Sequence, residues 1–233
     1  MDSSTYLSRR AKLTTYFDQT AASAWQALTS NAPVSRVRAT VRAGRDEMRT
    51  TLLGWMPTDL SGRLVVDAGC GTGALAIEAA QRGASVVAID VAGSLVDVAR
   101  QRTPPEVKSR IDYRVGDMTA DIPRVADYIV AMDSLIHYSF YDVLDAVAKL
   151  ADCANEKLLF TSAPWTPALA LMHLTGRVIP RREDRAPAIE PIRIEQLRQA
   201  IDSRLGGEGW RAERTRRIQK GFYISQAIEV VSR

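Results

Sequence analysis

Asp67, Gly69, Gly71 and Gly73 stand at alternate positions within VVDAGCGTGALAIEAA, residues 65–80. A β-branched run breaks there at a glycine-dense turn and continues into an apolar-periodic helix from Ala74 to Gln81. Such a strand–loop–helix lets a nucleotide-bearing ligand lie against the backbone, because the missing side chains leave it room. The dinucleotide fingerprint G-x-G-x-x-G is built to approach a pyrophosphate. Here the order is D-x-G-x-G-x-G, and the carboxylate of Asp67 would repel phosphate while suiting a cation with an amino-acid tail. S-adenosylmethionine has that tail and a sulfonium, so Asp67, Gly69, Cys70 and Gly71 are read as its seat.

Two further segments agree in distance along the chain. Ala84 to Asp90 reads as a second strand ending in a carboxylate, and Asp90, followed by Val91, can accept both hydroxyls of a ribose because an ionised carboxylate offers only acceptors. A third strand, Ile111 to Val115, runs into Gly116-Asp117-Met118, where Asp117 could accept from an adenine amino group and Met118 could pack on the ring. Met132, at the end of a fourth strand, completes the expected cofactor set. Each aspartate alone is equally a turn or cap residue; the three in register carry the reading.

These residues need a sheet to position them. Strand-like runs at Leu64–Asp67, Ser85–Asp90, Ile111–Val115, Tyr128–Met132 and Leu158–Ser162 alternate with helical runs near 74–82, 93–101 and 141–151. Alternation of this kind gives an α/β fold with a parallel sheet, helices on both faces and the ligand at the carboxyl ends of the strands. Trp210 to Ile218 and Phe222 to Val231 read as a terminal hairpin turning at Lys220-Gly221. Five parallel strands closed by an antiparallel hairpin is the Rossmann-like methyltransferase plan. The expected division is a helical N-terminal arm over 1–60, a methyltransferase domain over 61–233 and an insert at about 163–195.

Composition limits the alternatives. The chain has 233 residues, 46% of them hydrophobic and 25% charged, as in ordinary globular proteins. A net charge of +4 is mild, and without a Lys/Arg block, zinc pattern or RNA-binding aromatic motif a nucleic-acid partner is not expected. Cys70 and Cys153 are too few for a disulfide framework, which favours a reducing compartment. No signal peptide or membrane span is expected, so the reading is a cytoplasmic enzyme without a protein-bound metal.

In the stretch 34–52, Val34, Val37, Val41, Met48 and Leu52 mark one helical face, and Arg38, Arg42, Arg45 and Arg49 mark another. The plain expectation is a helix docked by its apolar stripe with solvated arginines; the sharper one is that some arginines draw in an anionic substrate or partner. Tyr16, in the upstream segment YFDQTA, sits where an arm could fold over the cleft and exclude water. After the fourth strand, MDSLIHY at 132–138 brings His137 and Tyr138 within a loop's reach of the reacting methyl. The insert opens with Trp165 and carries His173 and Arg177, with Arg181, Arg182 and Arg185 close behind. Its apolar half reads as a lid over a hydrophobic ligand, a membrane-surface contact or extra core, and the arginines suit carboxylates at a ligand's edge.

The chain resembles the magnesium-protoporphyrin IX methyltransferases of (bacterio)chlorophyll biosynthesis nearly end to end. The resemblance rests on YFDQTA at 16–21, APVSRVRATVRAGRDEMR at 32–49, VVDAGCGTGALAIEAA at 65–80, MDSLIHY at 132–138, TPALALMHLTGRVIPR at 166–181 and GFYISQA at 221–227. The glycine loop is shared by all methyltransferases of this fold, whereas MDSLIHY and the 32–49 helix are far more specific. The resemblance implies methyl transfer from S-adenosylmethionine to one propionate of magnesium-protoporphyrin IX, through the family the 13-propionate. The porphyrin carries the magnesium.

On that footing His137 is expected to hold and orient the carboxylate, with Tyr16 closing from the arm as a second donor. Tyr138, Trp165, His173 and Arg177 are the expected porphyrin contacts, His173 being a candidate axial ligand to its magnesium. Handover from the large porphyrin-binding subunit of magnesium chelatase, through the basic helix at 36–49, and peripheral membrane contact through 165–182 are the expected partner surfaces. Two other readings share these residues: a methyltransferase of another hydrophobic acceptor, such as a quinone or other tetrapyrrole, and a non-catalytic S-adenosylmethionine-binding module.

Overall fold

A computed structural model gives the structure of the protein and describes residues 4–20, 29, 35–166 and 188–232. Five strands alternate with helices: β1 (Leu64–Ala68), β2 (Ser85–Asp90), β3 (Ile111–Val115), β4 (Ala126–Ala131) and β5 (Ala154–Ser162). The hairpin is β6 (Trp210–Lys220) and β7 (Tyr223–Ser232). All seven form one sheet in the order β3-β2-β1-β4-β5-β7-β6, with β1 to β5 parallel and β7 inserted antiparallel between β5 and β6. This is the sheet expected from the alternating runs. Its order reverses between β1 and β4, and the crevice beyond their carboxyl ends is where such sheets take their ligands.

The central strands are apolar on both faces because helices cover both. Val65, Val66, Ala68, Ile129, Val130 and Ala131 are fully buried, as parallel strands of this kind must be. The covering helices are α2 (Arg36–Leu53), α3 (Ala74–Gln81), α4 (Gly93–Arg102), α5 (Phe140–Ala151) and α6 (Ile194–Leu205), preceded by α1 (Ser4–Thr15). A wider, π-helical turn, Tyr16–Thr20, extends α1. The expected elements did not include α6, although Leu197, Ile201 and Leu205 recur every fourth residue and are buried.

Helix α2 corrects the plain expectation for its arginines. Val37 is exposed, and burial begins further along, at Gly44, Met48, Leu52 and Leu53; Val34 lies outside the described residues. Gly44 is needed for this fit: a Cβ there would come within 2.4 Å of the Tyr223 ring on β7. With the helix so close to the hairpin, Arg45 and Arg49 turn inward and pair with Asp133 and Glu78 rather than with water.

The insert is closed at its base. The Trp165 N–H donates to the Ile192 carbonyl and the Ile192 N–H to the Ala163 carbonyl, each at 2.8 Å, around a parallel bridge between Pro164 and Ile192. Its return leg is thereby tied, at Ile192, to the residues that directly follow β5, outside the sheet itself. Among the described residues no helix is long and apolar enough to cross a membrane.

Candidate active site

The glycine loop begins where β1 ends. The amides of Gly69 and Cys70 both donate to the Ile89 carbonyl, at 2.8 and 3.0 Å, which ties the loop to β2. Gly69 has a φ of +86°, and a Cβ there would lie 2.4 Å from that of Ser134, so the position accepts nothing larger. Asp67 is buried and its carboxylate accepts from the Ala76 N–H at 3.1 Å, in the first turn of α3. Asp90 accepts from Gly71 N–H at 2.8 Å with one oxygen and from Ala92 N–H at 2.9 Å with the other. Each oxygen keeps a further lone pair for a ribose hydroxyl. Burial raises the Asp90 carboxyl above its usual range, opposed by these two amides and reinforced by the nearby Asp18.

Burial also pushes the Asp67 carboxyl up to about 7, with Asp90 adding to the rise and the Ala76 amide and Arg45 opposing it. The folded value exceeds the unfolded one, so this group contributes stability at low pH that is lost as pH rises from about 4 toward 7. An ammonium on the ligand favours the ionised form, so binding below pH 7 expels a proton. Affinity for S-adenosylhomocysteine is expected to fall toward about tenfold per pH unit as pH drops below that point. Calorimetry at pH 6.5 in two buffers of different ionisation enthalpy measures the proton directly, and no buffer dependence would remove Asp67 from this role.

Two cavities meet at the carboxyl end of the sheet. The first, of about 690 Å³, is lined by Gly69, Cys70, Gly71, Asp90, Val91, Met118 and Met132 together with His137, Tyr138 and Ser134. Tyr6, Leu13 and Phe17 of the N-terminal segment, Leu95 of α4 and Asp133 add to its wall. The second, of about 880 Å³, is polar and is lined by Asp67 and Thr72 of the loop region and by Arg42, Arg45 and Arg49 of α2. Arg45, Gly69, Cys70 and Met132 belong to both linings, so the two cavities share a wall.

Most of the expected cofactor residues thus come together, with one qualification on Asp117. Its carboxylate already accepts from the Tyr6 hydroxyl at 3.1 Å and from the Thr119 amide and hydroxyl, each at 2.7 Å, while Arg10 pairs with its other oxygen. Burial raises this carboxyl, but the donors outweigh it and hold it below the usual range. The residue expected to receive an adenine amino group is here the anchor of α1. A second anchor is Asp18, which accepts from both the amide and the hydroxyl of Ser94 at 3.0 and 2.9 Å, at the start of α4.

On the substrate side, His137 is buried at the end of a short helical turn, Leu135–His137, that follows β4. Its Nδ1 lies 3.3 Å from the Ala188 carbonyl. A carbonyl only accepts, so Nδ1 carries the proton, and donation from Nε2 as well requires the imidazolium form. The same return leg is fixed by the Glu190 N–H on the Ile136 carbonyl at 2.9 Å and by Arg9 on Glu190 at 2.7 Å. Tyr138 stacks on Tyr6, ring centroids 4.9 Å apart.

Tyr16 is not in the lining of the first cavity. Its ring meets Phe17 edge-on at 5.2 Å, and Phe17 provides the wall. Trp165 is exposed at the base of the insert beneath the Arg193 guanidinium, 5.4 Å from its ring centre, and lines neither cavity. His173 and Arg177 lie outside the described residues.

Sequence reasoning passed over Asp133. It sits just beyond β4 with a φ of +54°, a left-handed conformation uncommon in non-glycine residues. Its carboxylate accepts from Arg45 at 2.6 Å, Tyr223 at 3.0 and 3.1 Å, Thr161 at 3.2 Å and Ser225 at 3.3 Å. The clue available in the sequence was that three specific motifs each supply a member: the 32–49 helix, MDSLIHY and GFYISQA.

A glycine loop with an acidic start, a ribose-type carboxylate and a histidine in one cavity describe a methyltransferase, and comparison with known proteins narrows it. A general methyltransferase-domain model matches residues 65–157, and a model described as the magnesium-protoporphyrin IX methyltransferase C-terminus matches residues 131–232. The magnesium-protoporphyrin O-methyltransferase of Rhodobacter capsulatus is 41% identical over 97% of this chain and 98% of its own. That of Synechocystis sp. is 30% identical, covering 93% of each chain. A crystal structure of magnesium protoporphyrin IX methyltransferase from Synechocystis with bound SAH superposes with a TM-score of 0.83 at 27% identity, covering 97% of this chain and all of that one. With likeness running the length of the chain, the protein belongs to the magnesium-protoporphyrin O-methyltransferase family.

Proposed function

We propose that this protein transfers the methyl group of S-adenosylmethionine to the 13-propionate of magnesium-protoporphyrin IX, giving the monomethyl ester and S-adenosylhomocysteine. The observation that carries the reading is the single cavity whose wall joins Asp90, Val91 and Met118 to His137. S-adenosylmethionine supplies an electrophilic methyl on a sulfonium. The glycine loop and Asp67 would hold its amino-acid tail, Asp90 its ribose, and Met118, Val91 and Leu95 its base.

A propionate resembles a glutamate side chain, with a pKa of about 4.3, so it is ionised at neutral pH and needs no general base. The step forms one O–C bond and breaks one C–S bond, whose electron pair returns to sulfur, and no proton is transferred. The residues therefore work by placement. His137, oriented through Nδ1 by the Ala188 carbonyl, holds the carboxylate; Phe17 and Leu13 exclude water; Tyr16 donates from the arm once substrate is in place. Trp165, with His173 and Arg177 of the insert, is assigned to the porphyrin. Handover from the large subunit of magnesium chelatase is assigned to the start of α2, where Arg36 and Arg38 are exposed. Peripheral membrane contact is assigned to 165–182.

The test is incubation with S-adenosylmethionine and magnesium-protoporphyrin IX, followed by mass spectrometry of the porphyrin, with metal-free protoporphyrin in parallel. A product heavier by one methyl, formed mainly from the metallated porphyrin, is the expected result. No methylated porphyrin from a protein that still binds S-adenosylhomocysteine would move the assignment to another apolar acceptor or to binding alone.

A further inference from the structure

We infer that Asp133 is a positioning residue, holding the Arg45 guanidinium at the shared wall of the two cavities so that it receives the α-carboxylate of the cofactor's amino-acid tail. The inference rests on the methyltransferase reading above. An amino-acid tail is a zwitterion, so its seat needs an anion and a cation at separate points. Asp67 supplies the anion in the second cavity, and Arg45 is the cation common to both linings.

Arg45 is near enough to Asp67 to lower its carboxyl pKa. Left untethered, it would be drawn toward that carboxylate, and the two halves of the seat would neutralise each other. Asp133 prevents this by offering a nearer partner at 2.6 Å. The partner itself is fixed from two strands, by Thr161 on β5 and by Tyr223 and Ser225 on β7. Its left-handed backbone is uncommon in a non-glycine residue and persists only where surroundings over-determine it, as α2, β5 and β7 do here. In this arrangement the terminal hairpin reaches the cofactor through one aspartate.

The test compares two ligands for Asp133→Asn, a replacement that tolerates the left-handed backbone and keeps the shape while removing the charge. S-adenosylhomocysteine carries the tail; 5′-methylthioadenosine has the same adenosine and thioether without it. Calorimetry should show the first binding about tenfold more weakly than to the unaltered protein and the second unchanged within about twofold. Arg45→Gln should give the same selective loss, and the double variant no more than Arg45→Gln alone. Unchanged S-adenosylhomocysteine affinity in either single variant overturns the inference, and so does equal weakening of both ligands, which would mark a purely structural role. Should Asp133→Asn not fold, Arg45→Gln decides. None of these measurements uses a porphyrin, so failure of the methylation assay would leave them standing.

Discussion

Replacing His137 with alanine lowers kcat for porphyrin methylation by about two to three orders of magnitude and leaves S-adenosylhomocysteine affinity within about twofold. The size follows from what the residue is asked to do. The nucleophile is already charged, so catalysis lies in stripping the carboxylate of water and fixing it at about 3–3.5 Å from the reacting carbon. His137 lines the first cavity beside the transferred methyl's expected position and can hold an anion while being held itself, by the Ala188 carbonyl on Nδ1 at 3.3 Å. Steady-state kinetics with magnesium-protoporphyrin IX, paired with calorimetry for the cofactor product, separates the two effects. An alanine variant with full turnover would take His137 out of the reaction, and one that has lost S-adenosylhomocysteine binding would make it part of the cofactor seat.

The second large effect is expected at Asp90. Asp90→Ala should weaken S-adenosylhomocysteine binding about 100-fold or more and lower the melting temperature by roughly 5–15 °C. Two things are lost together. The proposed ribose acceptors go, and the amides of half-buried Gly71 and buried Ala92, now bonded at 2.8 and 2.9 Å, lose their partner, at a cost of about 1–3 kcal/mol for the buried one. Asp90→Asn retains one acceptor oxygen and should fall between the two. Calorimetry and a thermal scan read both losses. Normal cofactor affinity in the alanine variant would leave Asp90 as a loop fastener alone.

What could be read from the chain was what has a period or a fixed offset. The strand runs and the D-x-G-x-G-x-G loop are local patterns, and Asp67, Asp90 and Met118, picked out by those patterns, line the two cavities. The hairpin was visible because Lys220-Gly221 interrupts two extended runs. What escaped were pairings made by tertiary geometry. Asp133 looks like any turn residue until β5, β7 and α2 converge on it. The Arg45 and Arg49 stripe suggested a solvated face, because spacing along a helix does not reveal that Gly44 brings that helix against Tyr223. Asp117 was legible as an acceptor, but two of the donors that occupy it, Tyr6 and Arg10, lie more than a hundred residues away in sequence.

The bridge between Pro164 and Ile192 has a consequence for how this fold can change. A segment whose two ends are already fastened together contributes almost nothing to the closure entropy of the rest of the chain. Doubling its length would cost only about 0.6 kcal/mol, a small fraction of an ordinary domain's stability. The stretch between those fasteners can therefore be lengthened, shortened or rewritten while β5 and α6 keep their places, and descendants of this chain are free to change it without first having to rebuild the sheet.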